Sequence, residues 1–389
     1  MNIPAATFQS SQIINASALT RLDRVIGELR RSGIVLVRSG LEAVWLTAAE
    51  SLSEEGLETF IKIADSAPSV IITGQRAHRL GFDVQKDASV YNMQGFSSLS
   101  CETIGHIADP VSKSALTVPS ETLLDGVSLS PAGKLPQTII AMMKHSGLLP
   151  AAMIARADCA DPAEDVMEIS TEEIWQGLQQ ASGALQIVAQ ADVPLEDSET
   201  TRIIAFRPRD GGAEHLAIVV GKPDVNSPVL IRIHSECYTG DLLGSLRCDC
   251  GHQLRGAIAL MAASGSGIIL YLAQEGRGIG LINKLRAYQL QDLGRDTVDA
   301  NLDLGFEEDE RDYHVALQML KLMNVQQVRL LTNNPRKVNA LSSLGVDVIE
   351  RVAHVFPANR HNRGYLFTKG SRGGHLFDLN EFGSDSNKS

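Results

Sequence analysis

The chain has 389 residues, more than one domain usually holds, so two domains are expected. Its 44% apolar and 21% charged content is that of a soluble globular protein, and no apolar run reaches the length of about 18 residues that marks a membrane span. A net charge of −11 argues against general nucleic-acid binding, but 22 of the 35 basic residues, against 21 of the 46 acidic ones, fall after residue 200. That distribution places an anionic small substrate in the second half.

The first twenty residues lack the basic start and continuous apolar core of a secretory signal, so a cytoplasmic protein with reduced cysteines is expected. Helical periodicity over 18–31 leads into an apolar strand at 34–37. A strand at 70–74 follows, then a helix near Ile104 and another over 137–145. LLPAAMIARA and ALQIVAQADV read as buried segments. Residues 120–136, rich in Ser, Pro and Gly, read as a long loop, and 158–165 as a surface connection. Residues 194–201, PLEDSETT, are the candidate linker.

Beyond it the alternation sharpens. IIAFRP and HLAIVVG predict an antiparallel pair, and VLIRIHSE a strand leading into a cysteine segment. A helix over 250–263, a strand at 267–272, a loop at 273–280 and a helix LINKLRAYQLQDLG come next. VRLLT is a further strand, NNPRK starts a helix, and VDVIERV returns as a strand. The fold class is α/β: two domains, each a mixed sheet packed with helices.

Residues 234–251, HSECYTGDLLGSLRCDCG, hold three of the five cysteines, Cys237, Cys248 and Cys250. Cys248 and Cys250 are one residue apart, a poor geometry for a disulfide. A reduced cluster is more often metal-binding. Three thiolates from one segment suit a tetrahedral zinc. Spacing alone leaves two readings. One is a closed structural site with His234, Asp249 or His252 as fourth ligand; the other is a catalytic site that keeps that place for water.

EGRGIG, at 275–280, follows a strand and opens a helix, where backbone amides and the helix dipole receive an anion. It fits neither the dinucleotide glycine pattern nor a P-loop, and a tight turn explains it equally well. TNNPRK repeats the arrangement, with Pro335 at an early helical position and Arg336 and Lys337 beside it. Two basic loops after buried strands point to a polyphosphate ligand. The acidic run FEEDERDY, at 306–313, is either a solvated helix start or a carboxylate proton acceptor beside an arginine that meets phosphate.

Taken together, RIHSECYTGDLLGSLRCDCG, YLAQEGRGIGLINKLRAYQLQDLGRDTVDANLDLGF, ERDY and LLTNNPRK resemble GTP cyclohydrolase II, in order, over residues 194–377. The resemblance implies one zinc per chain on Cys237, Cys248 and Cys250. It implies GTP contacts from Arg232, Ile233, His234, Ser235, Glu236, Gln253, Glu275, Gly276, Arg277, Thr297, Thr332 and Lys337. Asp309 matches the family's proton acceptor, Arg311 its nucleophile, and Tyr288 the tyrosine near the purine. The implied reaction is zinc-dependent hydrolysis of GTP, with Mg²⁺ on the triphosphate. Its products are formate, pyrophosphate and 2,5-diamino-6-(5-phosphoribosylamino)pyrimidin-4(3H)-one, the first step of riboflavin synthesis, and a homodimer is implied. An arginine is protonated in proteins, so charge stabilisation at the α-phosphate is an alternative role for Arg311.

The first half bears a weaker resemblance to 3,4-dihydroxy-2-butanone-4-phosphate synthase, on ALTRLDRVIGELRRSGIVLV, VIITGQRAHRLGF, TIGHIADP and HSGLLPAAMIA. The family's acid-rich run is reduced to RSGLEAVWLTAAE, with Glu42 and Glu50, and its Arg-Gly-His-Thr segment is replaced by SPAGKLPQT. The resemblance therefore implies a retained fold without synthase activity. Cys101 and Cys159 read as buried apolar residues. The expected division is 1–193, a degenerate synthase-like domain; 194–379, the catalytic domain; and 380–389, a disordered tail. A cyclohydrolase acting on another nucleotide such as UTP, a non-catalytic nucleotide-binding zinc protein, and a bifunctional enzyme are the competing readings.

Overall fold

Short β-branched runs build two sheets of seven strands each, and helices cover both faces of each sheet. The computed structural model describes residues 17–85, 89–157, 166–183, 185–209 and 211–354, with residues 362, 367, 368, 370–372 and 376. The 158–165 connection, Cys159 and the tail at 380–389 lie outside the described residues.

The first sheet holds β1 (Val35–Ser39), β2 (Glu42–Ala48), β3 (Ser69–Thr73), β4 (Val90–Gln94), β5 (Ser128–Pro131), β6 (Ala151–Arg156) and β7 (Glu168–Ser170). Their order is β5-β4-β3-β6-β2-β1-β7, antiparallel throughout except for the β1–β7 pair. Its helices are α1 (Ala18–Arg30), α2 (Glu54–Ile63), α3 (Gly74–Arg79), α4 (Cys101–Ala108), α5 (Lys113–Thr117), α6 (Ser120–Leu123), α7 (Lys134–His145) and α8 (Thr171–Gly183). α1 shows why they form: the Ser17 side chain caps its start, and Leu22, Val25, Ile26 and Leu29 bury one stripe at helical spacing. With α7 and α8 that stripe closes a core on one face of the sheet.

The second sheet holds β8 (Leu185–Asp192), β9 (Thr201–Pro208), β10 (His215–Gly221), β11 (Val229–Ser235), β12 (Ser266–Leu272), β13 (Gln327–Leu331) and β14 (Asp347–Val352), ordered β14-β13-β11-β12-β10-β9-β8. β14, β13, β11 and β12 run parallel, while β10, β9 and β8 add antiparallel neighbours. Period-two alternation in β11 sends Leu230 to the face covered by α9 (Cys250–Ala263). It sends Ile231 and Ile233 to the opposite core, with α12 (His314–Leu322) and α13 (Pro335–Ser343).

The crossover from β12 to β13 leaves its own sheet. Residues of α10 (Gly280–Asp292) and α11 (Thr297–Asp303) dock on the first sheet, where Ile279, Ala287, Leu290, Ala300, Leu304 and Phe306 share one core with Phe60, Val70, Ile72 and Met153. Phe306 is fully buried there, which contributes about 1.5–3 kcal/mol. The two halves thus have a common core.

Four expectations are corrected. Residues 120–136 are not one loop: they hold α6, β5 and the start of α7, and their polar composition suits an exposed edge strand. ALQIVAQADV is not buried, because β8 is the exposed edge of the second sheet. The candidate linker at 194–201 is the turn between β8 and β9, closed by Val193 N–H donating to Thr201 O at 2.8 Å and by a Leu195–Ser198 bridge. The chain therefore passes between the sheets just before Leu185. Cys101 is only half-buried, at the start of α4.

Gly305 marks a close backbone approach between the halves. Its φ is +89°, and a Cβ there would stand 2.8 Å from Thr73 Oγ1 and 2.9 Å from Pro150 Cγ. Gly305→Ala is expected to cost about 1–3 kcal/mol, through overpacking and a left-handed backbone. The check is a lower denaturant midpoint at unchanged slope.

Candidate active site

In an open α/β sheet, ligands collect beyond the carboxyl ends of the parallel strands, where the connections diverge. Here β11 sends its chain to β12 on one side, and β12 returns it across β11 to β13. The loops after β11, β12 and β13 all line one cavity. It contains every residue expected to hold metal or act on GTP except Thr332. Thr332 is buried behind the rim, where its hydroxyl accepts the Asn334 N–H at 3.0 Å and shapes the third loop.

Cys237 stands just past β11, and Cys248 and Cys250 stand at the entrance to α9. Their sulfurs lie within 4.8 Å of one another, with Cys237 Sγ 3.7 Å from Cys248 Sγ, far beyond a disulfide bond. Backbone room is reserved for them: a Cβ on Gly240 would stand 2.7 Å from Cys248 Sγ and 3.0 Å from Cys237 Sγ. Hydrogen bonds from Cys248 and Cys250, aided by Lys284, outweigh burial and hold the Cys237 thiol far below its ordinary range, as a thiolate ligand requires. None of the three candidate fourth ligands joins them. The His234 ring is spent on Asp241, the Asp249 carboxylate accepts from Gln253, and His252 is exposed on α9. Among the described residues no other Cys, His, Asp or Glu completes the set, so the donors fit an open zinc site better than a closed one.

A buried polar chain supports this wall. Arg232 donates to Gln253 and, at 3.4 Å, to His234 Nδ1, while His234 Nε2 donates to Asp241 at 3.0 Å. Those two bonds fix the His234 tautomer. Asp241 also accepts from Tyr271 and from the Cys237 N–H. Burial lowers Arg232 to about 10, opposed by Asp249 and Cys250, so it remains a cation at neutral pH. His354 donates from Nε2 to Gln253 O at 3.0 Å, which ties the end of β14 to α9.

The loop after β12 is a 3-10 turn, Glu275–Gly278, in which Gly276, Arg277 and Gly278 all have positive φ. A Cβ at Gly278 would meet Glu310 O at 2.7 Å. That close approach lets the Glu310 N–H donate to Arg277 O at 3.0 Å and Arg277 donate to Glu308 O at 3.2 Å. Glu275 accepts from the Tyr238 N–H and from Lys284 Nζ, each at 2.7 Å. Burial opposes the charge on Lys284, but its bonds to Cys237 and Glu275 prevail and hold its pKa above the lysine range. Tyr288, one turn along α10, meets the Thr239 hydroxyl at 3.3 Å, with Arg247 4.8 Å above its ring.

The run FEEDERDY is not a helix start: it is an irregular segment ahead of α12, which begins only at His314. Arg311 grips Asp309 through both Nε and Nη2, and Arg336 pairs with Glu308 at 3.0 Å. Burial alone would raise the Asp309 carboxyl, but the Arg311 bonds outweigh it and keep it below its usual value. Lys337 reaches back to Ile233 O at 2.9 Å, and Ser235 Oγ is buried on the cavity wall without a partner among the described residues.

The family model for GTP cyclohydrolase II matches residues 186–353. The GTP cyclohydrolase-2 of Azospirillum brasilense is 43% identical over 374 residues, covering 94% of this chain and 96% of that protein. The chain belongs to the GTP cyclohydrolase II family. The GTP cyclohydrolase-2 of Shewanella sediminis is 51% identical over 199 residues, which are 97% of that protein but 51% of this chain, so half-length family members exist. Among solved structures, a two-domain 3,4-dihydroxy-2-butanone 4-phosphate synthase from A. baumannii covers 86% of this chain and 100% of its own, at 14% identity and a TM-score of 0.31, too loose a match to argue from.

Beyond the residues the family resemblance named, the cavity of this cyclohydrolase is lined by Arg247, Lys284, Gln291, Asn301 and Arg336. Lys284, Tyr288 and Gln291 were legible in principle, at i, i+4 and i+7 on one helix face. Arg247 and Asn301 carry no such signal.

Burial, reinforced by Arg232, lowers His354 to about 4. Below the ordinary histidine value of about 6.5, the unfolded chain binds a proton that the folded chain refuses until about pH 4. Stability present above pH 6.5 is therefore lost as pH falls toward 4. His354→Gln is expected to flatten that loss, measured as the change in denaturant midpoint between pH 7 and pH 5.

Proposed function

We propose that this chain hydrolyses GTP to formate, pyrophosphate and 2,5-diamino-6-(5-phosphoribosylamino)pyrimidin-4(3H)-one, the first step of riboflavin synthesis, with Cys237, Cys248 and Cys250 holding zinc. The observation that carries the reading is the convergence of a three-thiolate cluster and the Asp309–Arg311 pair on one cavity. Zinc bound to the cysteines would bring a water's pKa toward about 7 and so supply hydroxide at neutral pH for opening the imidazole ring.

The protein's own groups do the rest. Arg232, Arg277, Arg336 and Lys337 supply cations for a triphosphate, which arrives with Mg²⁺. Ser235 offers an unspent hydroxyl to the substrate. Tyr288 and Lys284 stand beside the cysteines, where the purine would sit. Arg311 acts on charge at the α-phosphate and not as a nucleophile: its guanidinium is held by Asp309 through two nitrogens, and an arginine has no free electron pair while protonated. Asp309 accepts the proton of the attacking water. The intact Tyr288 and GTP-contact positions favour GTP over UTP, and the Asp309–Arg311 pair favours an enzyme over a binding protein.

The first half is proposed to lack synthase activity. Glu42 opens β2 and Glu50 lies beyond its other end, about 25 Å away at strand rise, so they cannot share a metal or a proton. Incubation with ribulose 5-phosphate is expected to yield no butanone phosphate, and measurable product would refute this.

Purified protein with GTP and Mg²⁺ is expected to release formate and pyrophosphate together. Cys248→Ser should abolish formate, and Gly240→Ala should lower zinc content well below one per chain by crowding the sulfurs. Asp309→Asn is expected to lower kcat about 10²–10⁴-fold. Pyrophosphate without formate from the unaltered protein would mean that ring opening is not its reaction.

A further inference from the structure

The segment that carries Asp309 and Arg311 is neither helix nor strand, and it holds five carboxylates within 307–312. Arg311 within it pairs with Asp309 and Arg336 of α13 with Glu308, and one further cation comes from the first half. Lys144, at the end of α7 in the first half, places Nζ 2.7 Å from Glu310 Oε1 and 3.8 Å from Glu307 Oε1. The same Glu310 oxygen accepts the Glu307 N–H at 2.8 Å, so Lys144 neutralises the carboxylate that closes the turn around Asp309. Gln75, in α3, donates to Glu307 at 2.7 Å. Arg76, fully buried, donates to Asp303 O at 3.2 Å as well as to its own half at Ile107 O and His106 O.

A second set of ties reaches α10, which carries Lys284 and Tyr288. Arg286 meets Asp109 at 2.9 Å and Glu50 at 3.5 Å, and Asn283 donates to Gly147 O at 3.0 Å. Among the described residues, none of the first half lines the catalytic cavity. Every one of these ties acts from behind it.

We propose that the first half is a clamp for the catalytic segment of the second, with Lys144 as its principal positioning residue. The proposal rests on the reading that Asp309 and Arg311 act on the phosphate. Removing the Lys144 charge leaves Glu307 and Glu310 to repel each other and Asp309, and the segment splays without leaving the protein unfolded. A misplacement of about 1 Å can cost about 10²-fold in rate.

The test uses the full-length zinc-loaded chain, with kcat and KM for GTP followed by formate and pyrophosphate release. Lys144→Met is expected to lower kcat on the order of 10-fold to 100-fold. KM for GTP should stay within about threefold, because the Lys144 contact is made behind the substrate. The thermal midpoint and zinc content should stay near those of the unaltered protein. Lys144→Arg should restore most of the rate, and adding Glu310→Lys to Lys144→Glu should recover part of its loss. Arg38→Met removes an exposed first-half ion pair with Glu168 and should leave kcat unchanged. Should Lys144→Met fail to fold, Lys144→Gln carries the same test.

Unaltered kcat in the neutralised variant, or a loss matched by Arg38→Met, would overturn the clamp. An unaltered protein that releases neither product, or an Asp309→Asn variant at full rate, would instead overturn the underlying reading of the site.

Discussion

Five carboxylates lie within the six residues 307–312, and cations from three directions pair with them. Like charges about 5 Å apart cost on the order of 1–3 kcal/mol per pair at the dielectric of a protein surface. Arg311 meets Asp309, Arg336 meets Glu308, Lys144 meets Glu310, and His314 lies 2.8 Å from Asp312. The ion pairs of Glu308 and Glu310 frame the Asp309–Arg311 pair. Arg336 comes from the start of α13, so the loop after β13 and the segment at 307–312 are joined by one ion pair.

The same economy of position governs the metal wall. A parallel sheet delivers strand ends to one side, and a change of direction at β11 opens the gap that the cysteines and the Glu275–Gly278 turn enclose. Glycine matters at two points for a stated reason. Gly240 leaves room for sulfur, and Gly278 lets the turn touch the backbone of Glu310. Side chains at either position would separate parts that have to meet.

The second half was largely legible from sequence because its signals are local. Buried strands such as β11 and β12 announce themselves by unbroken apolar runs, Pro335 and Asn334 mark the start of α13, and the cysteine spacing marks a cluster able to hold a metal. Edge strands β5 and β8 were not legible, since an exposed strand needs no apolar face, and the hairpin at 194–201 reads as a linker for the same reason. The ties between the halves were least legible. Lys144 and Glu310 are 166 residues apart, and each by itself is an ordinary surface charge. The carboxylate of Glu50, one of two left in its segment, likewise reveals nothing until Arg286 is seen beside it.

The shared core has a consequence for how this chain is divided by proteolysis or by design. Ile279, Leu290, Leu304 and Phe306 are covered by side chains of the first sheet and not by their own. Cut before Leu185, the second half would carry this greasy face into water beside Glu307 and Glu310 stripped of Lys144, a surface prone to self-association.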